Sequence, residues 1–207
     1  MKLVIVDYGV GNILSIENAV KRLGVSSVEV SREKKVLSEA NGLILPGVGA
    51  FSTCTDKLKK NGLSEILTNL VIFKKKPILG ICVGMQLMAN SSKEGGEFKG
   101  LGWIPGKVLR INTKKNLPVP HVGWNEIRVT KPHEVFKKIV IGSHFYFDHS
   151  YHYSCNSKFV TATCKYGETL NVAINYKNIF GVQFHPEKSD LAGLRLIRGY
   201  LNWIKAC

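Results

Sequence analysis

Apolar positions over the first 90 residues alternate between two arrangements, short unbroken runs and longer stretches at helical spacing. "LVIVD" (3–7) is an unbroken, β-branched run closed by Asp7, Tyr8 and Gly9, the pattern of a strand buried on both faces. "NILSIENAVKRLG" follows with apolar residues at 13, 14, 16, 20 and 23 and stops at Gly24, which predicts an amphipathic helix. "GLILPG" repeats the strand pattern, residues 51–60 and 63–73 repeat the helical one, "PILGI" is a third buried strand, and "VGMQLMANS" reads as a helix. Strands alternating with helices imply a parallel sheet covered on both faces. The pattern then changes. "GKVLRIN", "EIRVT", "FYFDHSYHY", "KFVTATCKYG", "LNVAINYK" and "IFGVQFHPE" are short strand-like segments, several with period-two alternation, and a final helix runs roughly from Asp190 to Lys205. With no internal repeat or linker, residues 1–207 read as a single α/β domain whose C-terminal half adds antiparallel strands.

Composition narrows the class. The chain's 44% hydrophobic and 21% charged residues are ordinary for a globular protein. The N-terminal apolar run is too short for a signal-peptide core, and no apolar span is long enough to cross a bilayer, so neither export nor a membrane is expected. Cysteines at 54, 82, 155, 164 and 207 are odd in number, scattered and without a C-x-x-C pair. That pattern suggests no disulfide framework or zinc site, and points to a reducing, cytoplasmic compartment. The net charge of +14 comes from dispersed lysines, among them "KLKK" at 57–60, Lys74 to Lys76, Lys114–Lys115 and Lys137–Lys138. No helix-turn-helix, RNP strand or zinc-finger spacing accompanies them, so a solvated basic surface is expected rather than a nucleic-acid site. The glycines of "GVGNIL" (9–14) lack the third member of a dinucleotide fingerprint, and "PGVGAF" (46–51) lacks the Gly-Lys-Ser/Thr of a P-loop. Neither supports a nucleotide cofactor.

Three stretches carry candidate chemistry. Gly80-Ile81-Cys82-Val83-Gly84 has the glycine-x-nucleophile-x-glycine form of a strained strand-to-helix elbow. The cysteine would stand at a helix N-terminus, where unpaired N–H groups and the dipole favour a thiolate. In "GVQFHPEKS" (181–189), an extended backbone points His185 and Glu187 to the same side, and Pro186 helps hold that extension. A carboxylate beside an imidazole fixes its tautomer and stabilises the imidazolium. In "LPGVGAF", Gly47 and Gly49 free the backbone around Val48 to aim an N–H at a developing oxyanion, beside the N–H of Val83. Each piece alone has a plain structural explanation: a buried core thiol, a surface His and Glu, an ordinary turn.

Together they fit one edge of an α/β sheet, and the set resembles the class I, triad-type glutamine amidotransferases. The chain is more closely similar to the glutaminase subunits of imidazole glycerol phosphate synthase. Seven ordered stretches carry the likeness: "DYGVGNILS" (7–15), "LPGVGAF" (45–51), "LGICVGMQLM" (79–88), "GLGWIPGKV" (100–108), "PHVGWNEI" (120–127), "HSYHY" (149–153) and "GVQFHPEKS" (181–189). The resemblance implies a flavodoxin-like three-layer sandwich with a mainly parallel central sheet and added antiparallel strands in the C-terminal half. It implies that Cys82 attacks the side-chain amide of glutamine, that His185 moves the protons and that Glu187 orients His185, with no metal and no cofactor. The implied oxyanion donors are backbone N–H groups of Val83 and of Val48 or Gly49. The implied glutamine contacts are Gly47, Gln86, Glu94, His149, Ser150 and Tyr151, although "SSKEGGEF" also allows Glu97 to stand in place of Glu94. A partner is implied as well, a (β/α)8-barrel cyclase that receives the ammonia in a heterodimer and docks on Asn12, Trp124, Tyr146 and Lys188.

Other functions fit parts of the pattern. Asp148 stands where the family commonly has an apolar residue, which, with the basicity, leaves room for a paralogue supplying ammonia to a bacterial surface sugar. A free-standing cysteine hydrolase of γ-glutamyl compounds would share the triad but have no use for a docking face. A non-enzymatic basic binding protein would not need Cys82.

Overall fold

The computed structural model describes residues 1–113 and 117–206; Lys114 and Lys115 of the lysine pattern, and Cys207, lie outside them. The first half is built from β1 (Lys2–Val6), α1 (Ile13–Lys21), β2 (Ser27–Ser31), α2 (Lys34–Glu39), β3 (Gly42–Leu45), α3 (Phe51–Lys60), α4 (Leu63–Thr68), β4 (Ile78–Ile81) and α5 (Val83–Gln86). The second half adds β5 (Ser91–Ser92), β6 (Phe98–Lys99), β7 (Gly106–Arg110), β8 (His121–Val129), β9 (His144–His149), β10 (Tyr151–Cys155), β11 (Val160–Tyr166), β12 (Glu168–Tyr176), β13 (Ile179–Val182) and α6 (Asp190–Ala206).

A nine-stranded sheet runs in the order β2-β1-β3-β4-β13-β12-β11-β8-β9. Its first five strands are parallel, and from β13 to β9 the pairing is antiparallel. The parallel part has the doubly wound, flavodoxin-like order, and the antiparallel strands extend the same sheet. Helices α1 and α6 pack against each other, and α3 packs on α4 and α5, completing a three-layer sandwich. Strands β3, β4 and β13 are buried along their whole length, which is why their sequences are continuous apolar runs. A smaller sheet, β10-β7-β5-β6, stands beside the large one. Among the described residues no helix is long and apolar enough to cross a membrane.

β2, α2, β5 and β6 have no counterpart among the segments expected from the sequence, and two of the expected elements take another form. "FYFDHSYHY" is two strands rather than one: β9 pairs with β8 in the large sheet, while β10 pairs with β7 in the small one. The chain changes sheets at Ser150, whose carbonyl accepts from Ile111 N–H at 2.9 Å. Asp148 causes no conflict there, because it lies on the exposed face opposite Val122. The helix expected over "VGMQLMANS" is a single turn, Val83–Gln86. The carbonyls of Leu87, Met88 and Ala89, which would have continued it, accept instead from the N–H groups of Leu101, Gly102, Trp103 and Ile104. The "GLGWIPG" segment therefore ends the helix by taking its acceptors.

Candidate active site

The carboxyl ends of β1, β3, β4 and β13 lie side by side, so the segments that leave them meet at one edge of the sheet. Cys82 follows β4 directly with φ 54° and ψ −115°, a conformation that L residues adopt only under strain. Sterics explain the flanking glycines. A Cβ on Gly84 would sit 1.9 Å from the Leu45 carbonyl oxygen, and one on Gly80 would sit 2.8 Å from the Gly84 oxygen. Gly47 serves the same approach from the other side, since its Cβ would lie 2.6 Å from Gly84 N. The Cys82 amide is tied to the Val182 carbonyl at 2.8 Å, anchoring the elbow to β13. Val83 N–H opens α5 and so has no intrahelical acceptor.

His185 Nδ1 and Glu187 Oε1 are 2.8 Å apart, with side chains 3% and 1% exposed. The pairing expected of these residues is present, but its backbone origin differs from the extended strand inferred from sequence. His185 is extended, whereas Glu187 lies in a 3-10 turn over Pro186–Lys188 that folds the carboxylate back onto the ring. Ser189 secures the turn, its hydroxyl donating to the His185 carbonyl at 2.6 Å and accepting from Tyr146 N–H at 2.9 Å. Burial alone would lower the His185 pKa. Hydrogen bonds to Cys82 and Glu187, and the charges of both, carry it up to about 10, so the ring is an imidazolium at neutral pH. Asn12 stands at the N-cap position of α1 but does not cap it; its amide reaches inward and donates to Glu187 Oε1 at 3.3 Å.

Cys82, Val83 and His185 open into a cavity of about 270 Å³, also lined by Val48, Gly49, Gln86, Glu94, Asp148, His149, Ser150, Tyr151 and Lys188. A space this small suits a ligand of amino-acid size. Of the residues expected around glutamine, Gly47 is the one that does not line it; its place is against the elbow. Between the two alignments of "SSKEGGEF", Glu94 is the one at the cavity. Its Oε2 accepts from Phe51 N–H at 2.8 Å, at the start of α3, while Glu97 is exposed and pairs with Lys93.

The far wall depends on two histidines, one of which the sequence reading passed over. His121 and His149 are direct cross-strand partners on β8 and β9, with Nδ1 and Nε2 3.0 Å apart. His149 Nδ1 lies 2.8 Å from the Tyr151 carbonyl, which can only accept. His149 Nε2 must then accept from His121 Nδ1–H, and His121 Nε2 from the Asn125 amide at 3.3 Å. The order is consistent only with two neutral rings. Burial lowers both, His121 to about 4 and His149 to about 3, the latter also through neighbouring imidazoles although its bond to Tyr151 opposes this.

The remaining residues expected at the partner face lie outside the cavity or at its rim. Trp124 and Tyr146 are also cross-strand partners, with rings edge-to-face at 6.2 Å, and Lys188 Nζ lies 5.4 Å from the Tyr146 ring centre. Trp124 is 50% exposed and its neighbour Val122 55%. The sequence reading also missed Gln183, which is wholly buried within reach of Cys82; a polar residue inside the apolar run "GVQF" was the available signal.

A strained cysteine beside an imidazole held by a buried carboxylate is an arrangement for nucleophilic acyl transfer. A family model described as "Glutamine amidotransferase class-I" matches residues 4–196. The chain belongs to this family. Class I glutamine amidotransferases named as imidazole glycerol phosphate synthase subunits are among its relatives. The subunit HisH 2 of Vibrio vulnificus is 46% identical over 205 residues, covering 99% of this chain and 96% of the relative. The subunit HisH of Pelagibacter ubique is 44% identical over 207 residues, covering 98% of this chain and all of the relative. Among solved structures, a putative GMP synthase component from Thermoplasma acidophilum aligns with a TM-score of 0.75 at 19% identity, over 100% of this chain and 94% of that one. Another, a glutamine amidotransferase, aligns with a TM-score of 0.75 at 22% identity, over 98% of each chain. At these identities the structural likeness speaks for the fold.

Proposed function

We propose that this chain is the glutaminase subunit of an imidazole glycerol phosphate synthase, releasing ammonia from glutamine for histidine biosynthesis. The observation that carries the chemistry is the buried His185–Glu187 pair, 2.8 Å apart, beside a cysteine on a strained elbow at the same cavity. The Cys82 sulfur attacks the side-chain amide carbon, forming the S–C bond and a tetrahedral oxyanion. Val83 N–H, with Val48 or Gly49 N–H, stabilises that oxygen. His185 gives its proton to the amide nitrogen, the C–N bond breaks, and ammonia leaves a γ-glutamyl thioester and a neutral imidazole. Water then attacks the thioester, its proton returns to His185, and the S–C bond breaks to give glutamate and the starting pair. Glu187, steadied by Asn12, stabilises the imidazolium in each half. Glu94 and Gln86 hold the α-ammonium of glutamine, while His149, Ser150 and Tyr151 form the opposite wall. No metal or cofactor enters these steps.

The pathway follows from relatives named as subunits of that synthase at 46% and 44% identity over nearly the whole chain. The ammonia acceptor is a (β/α)8-barrel cyclase docked as a heterodimer on the Trp124–Tyr146–Lys188 stack, whose exposed aromatic surface has no use in a free-standing hydrolase. Residues 1–207 act as one amidotransferase domain. The free thiols of Cys54, Cys82, Cys155 and Cys164 fit a cytoplasmic setting. The test is glutamate release by wild type and Cys82→Ser, each alone and with the cyclase and its nucleotide substrate. The wild-type complex should be active and the Cys82→Ser complex inactive; equal activity would sink the chemistry. Stimulation only by a surface-sugar amidating system would overturn the pathway and leave the chemistry intact.

A further inference from the structure

Gln183 leaves β13 two residues before His185, and none of the proton transfers above uses it. Its side chain is fully buried, yet both ends of its amide are engaged. Nε2 lies 3.7 Å from Cys82 Sγ, and Oε1 accepts from Gln86 Nε2 at 3.0 Å. The same Gln86 nitrogen donates to the Tyr151 carbonyl, also at 3.0 Å. A backbone carbonyl cannot donate, so the Gln86 NH2 must face Tyr151. Its second N–H then points at an oxygen, which fixes Oε1 of Gln183 toward Gln86 and leaves the Gln183 NH2 facing the sulfur. The chain of hydrogen bonds has one polarity, and its anchor is an atom that cannot flip.

We infer that Gln183 is a positioning residue that donates an N–H to the Cys82 sulfur, its orientation set through Gln86 by the Tyr151 carbonyl at the cavity wall. Gln183 has this role only if Cys82 is the nucleophile proposed above. The elbow fixes the Cys82 backbone but not the rotation of its side chain; a second donor beside His185 gives the sulfur a defined seat. The N–H bond is strongest to a thiolate and weakens once sulfur carries the acyl group, so it favours expulsion of sulfur when water breaks the thioester. Gln86 is sharpened by the same wiring. Both of its amide protons are occupied, so only Oε1 is left for substrate, an acceptor suited to an ammonium group.

Two measurements test this. Gln183→Met keeps much of the volume and removes the amide. With the fold retained by circular dichroism, kcat for glutamine should fall about tenfold, the value of one hydrogen bond to a charged group, while KM stays within about twofold. Wild-type kcat in that variant would overturn the inference. Should Gln183→Met fail to fold, the wild-type chain decides. In a 15N-labelled sample, the assigned Gln183 side-chain NH2 resonances should shift when iodoacetamide alkylates Cys82, and unmoved resonances would refute the contact. Activity of Cys82→Ser is measured alongside. If it equals wild type, the nucleophile assignment fails, an outcome distinct from either result for Gln183.

Discussion

The His121–His149 pair makes the wall of the active-site cavity sensitive to acid, with a sign and size that follow from its wiring. An unfolded imidazole titrates near 6.5, whereas His121 in the folded chain titrates at about 4 and His149 at about 3. Between those values the unfolded chain binds protons that the native chain refuses, so stability falls as pH drops below about 6.5 and levels off near the folded values. Going from about pH 7 to about pH 5, each ring costs about 2 kcal/mol, roughly 1.5 units at about 1.4 kcal/mol per unit. The pair therefore costs about 4 kcal/mol. His133 and His152, both lowered by burial, act in the same direction. His185 is raised to about 10, so its contribution is fully present below 6.5 and is lost as pH climbs toward 10; over this window it returns only about 1 kcal/mol. His121→Phe isolates one ring, because phenylalanine preserves stacking between Phe147 and Tyr166 but does not titrate. Urea unfolding followed by tryptophan fluorescence at the two pH values gives the free energies by linear extrapolation. The acid penalty should be about 2 kcal/mol smaller in His121→Phe than in wild type. Equal penalties would refute the neutral-pair assignment.

Glu187→Gln should keep the fold and lower kcat for glutamine at least roughly a hundredfold, because the imidazolium of His185 loses its buried counter-charge; steady-state glutamate release checks this, and a loss below about threefold would remove Glu187 from the triad. Gly84→Ala drives a methyl group to 1.9 Å from the Leu45 oxygen, a backbone atom, and should cost about 1–3 kcal/mol and roughly a hundredfold in activity as the elbow shifts. Gly49→Ala meets open space and only the strain of φ +83°, so its stability cost should be about 1 kcal/mol. Thermal melts that reversed this order would contradict the close-packing account.

The buried parallel strands were legible because their burial on both faces is written as unbroken apolar runs. The elbow was legible because a strained backbone needs glycines at fixed offsets, a local steric demand. The π-turn over Asn69–Phe73 extends α4 without changing which residues are apolar, so the helical stretch from 63 to 73 was visible while its change of winding was not. Helix α5 misled because local spacing cannot report a competitor for hydrogen bonds, here the residues from Leu101 to Ile104.

Sterics and periodicity over a few residues were enough to set most of the strands and helices in order, though not β2, α2, β5 or β6, and to give the elbow at Cys82 and the close spacing of His185 and Glu187. Folding in three dimensions was needed to decide that Asn12 reaches Glu187, that Glu94 rather than Glu97 faces the cavity, and that Gln183 lies against the sulfur. It also decided that His121 meets His149, through the register of β8 on β9. These contacts join residues from 28 to 175 positions apart, and a sheet register or a side chain crossing from one loop to another leaves no period in the chain.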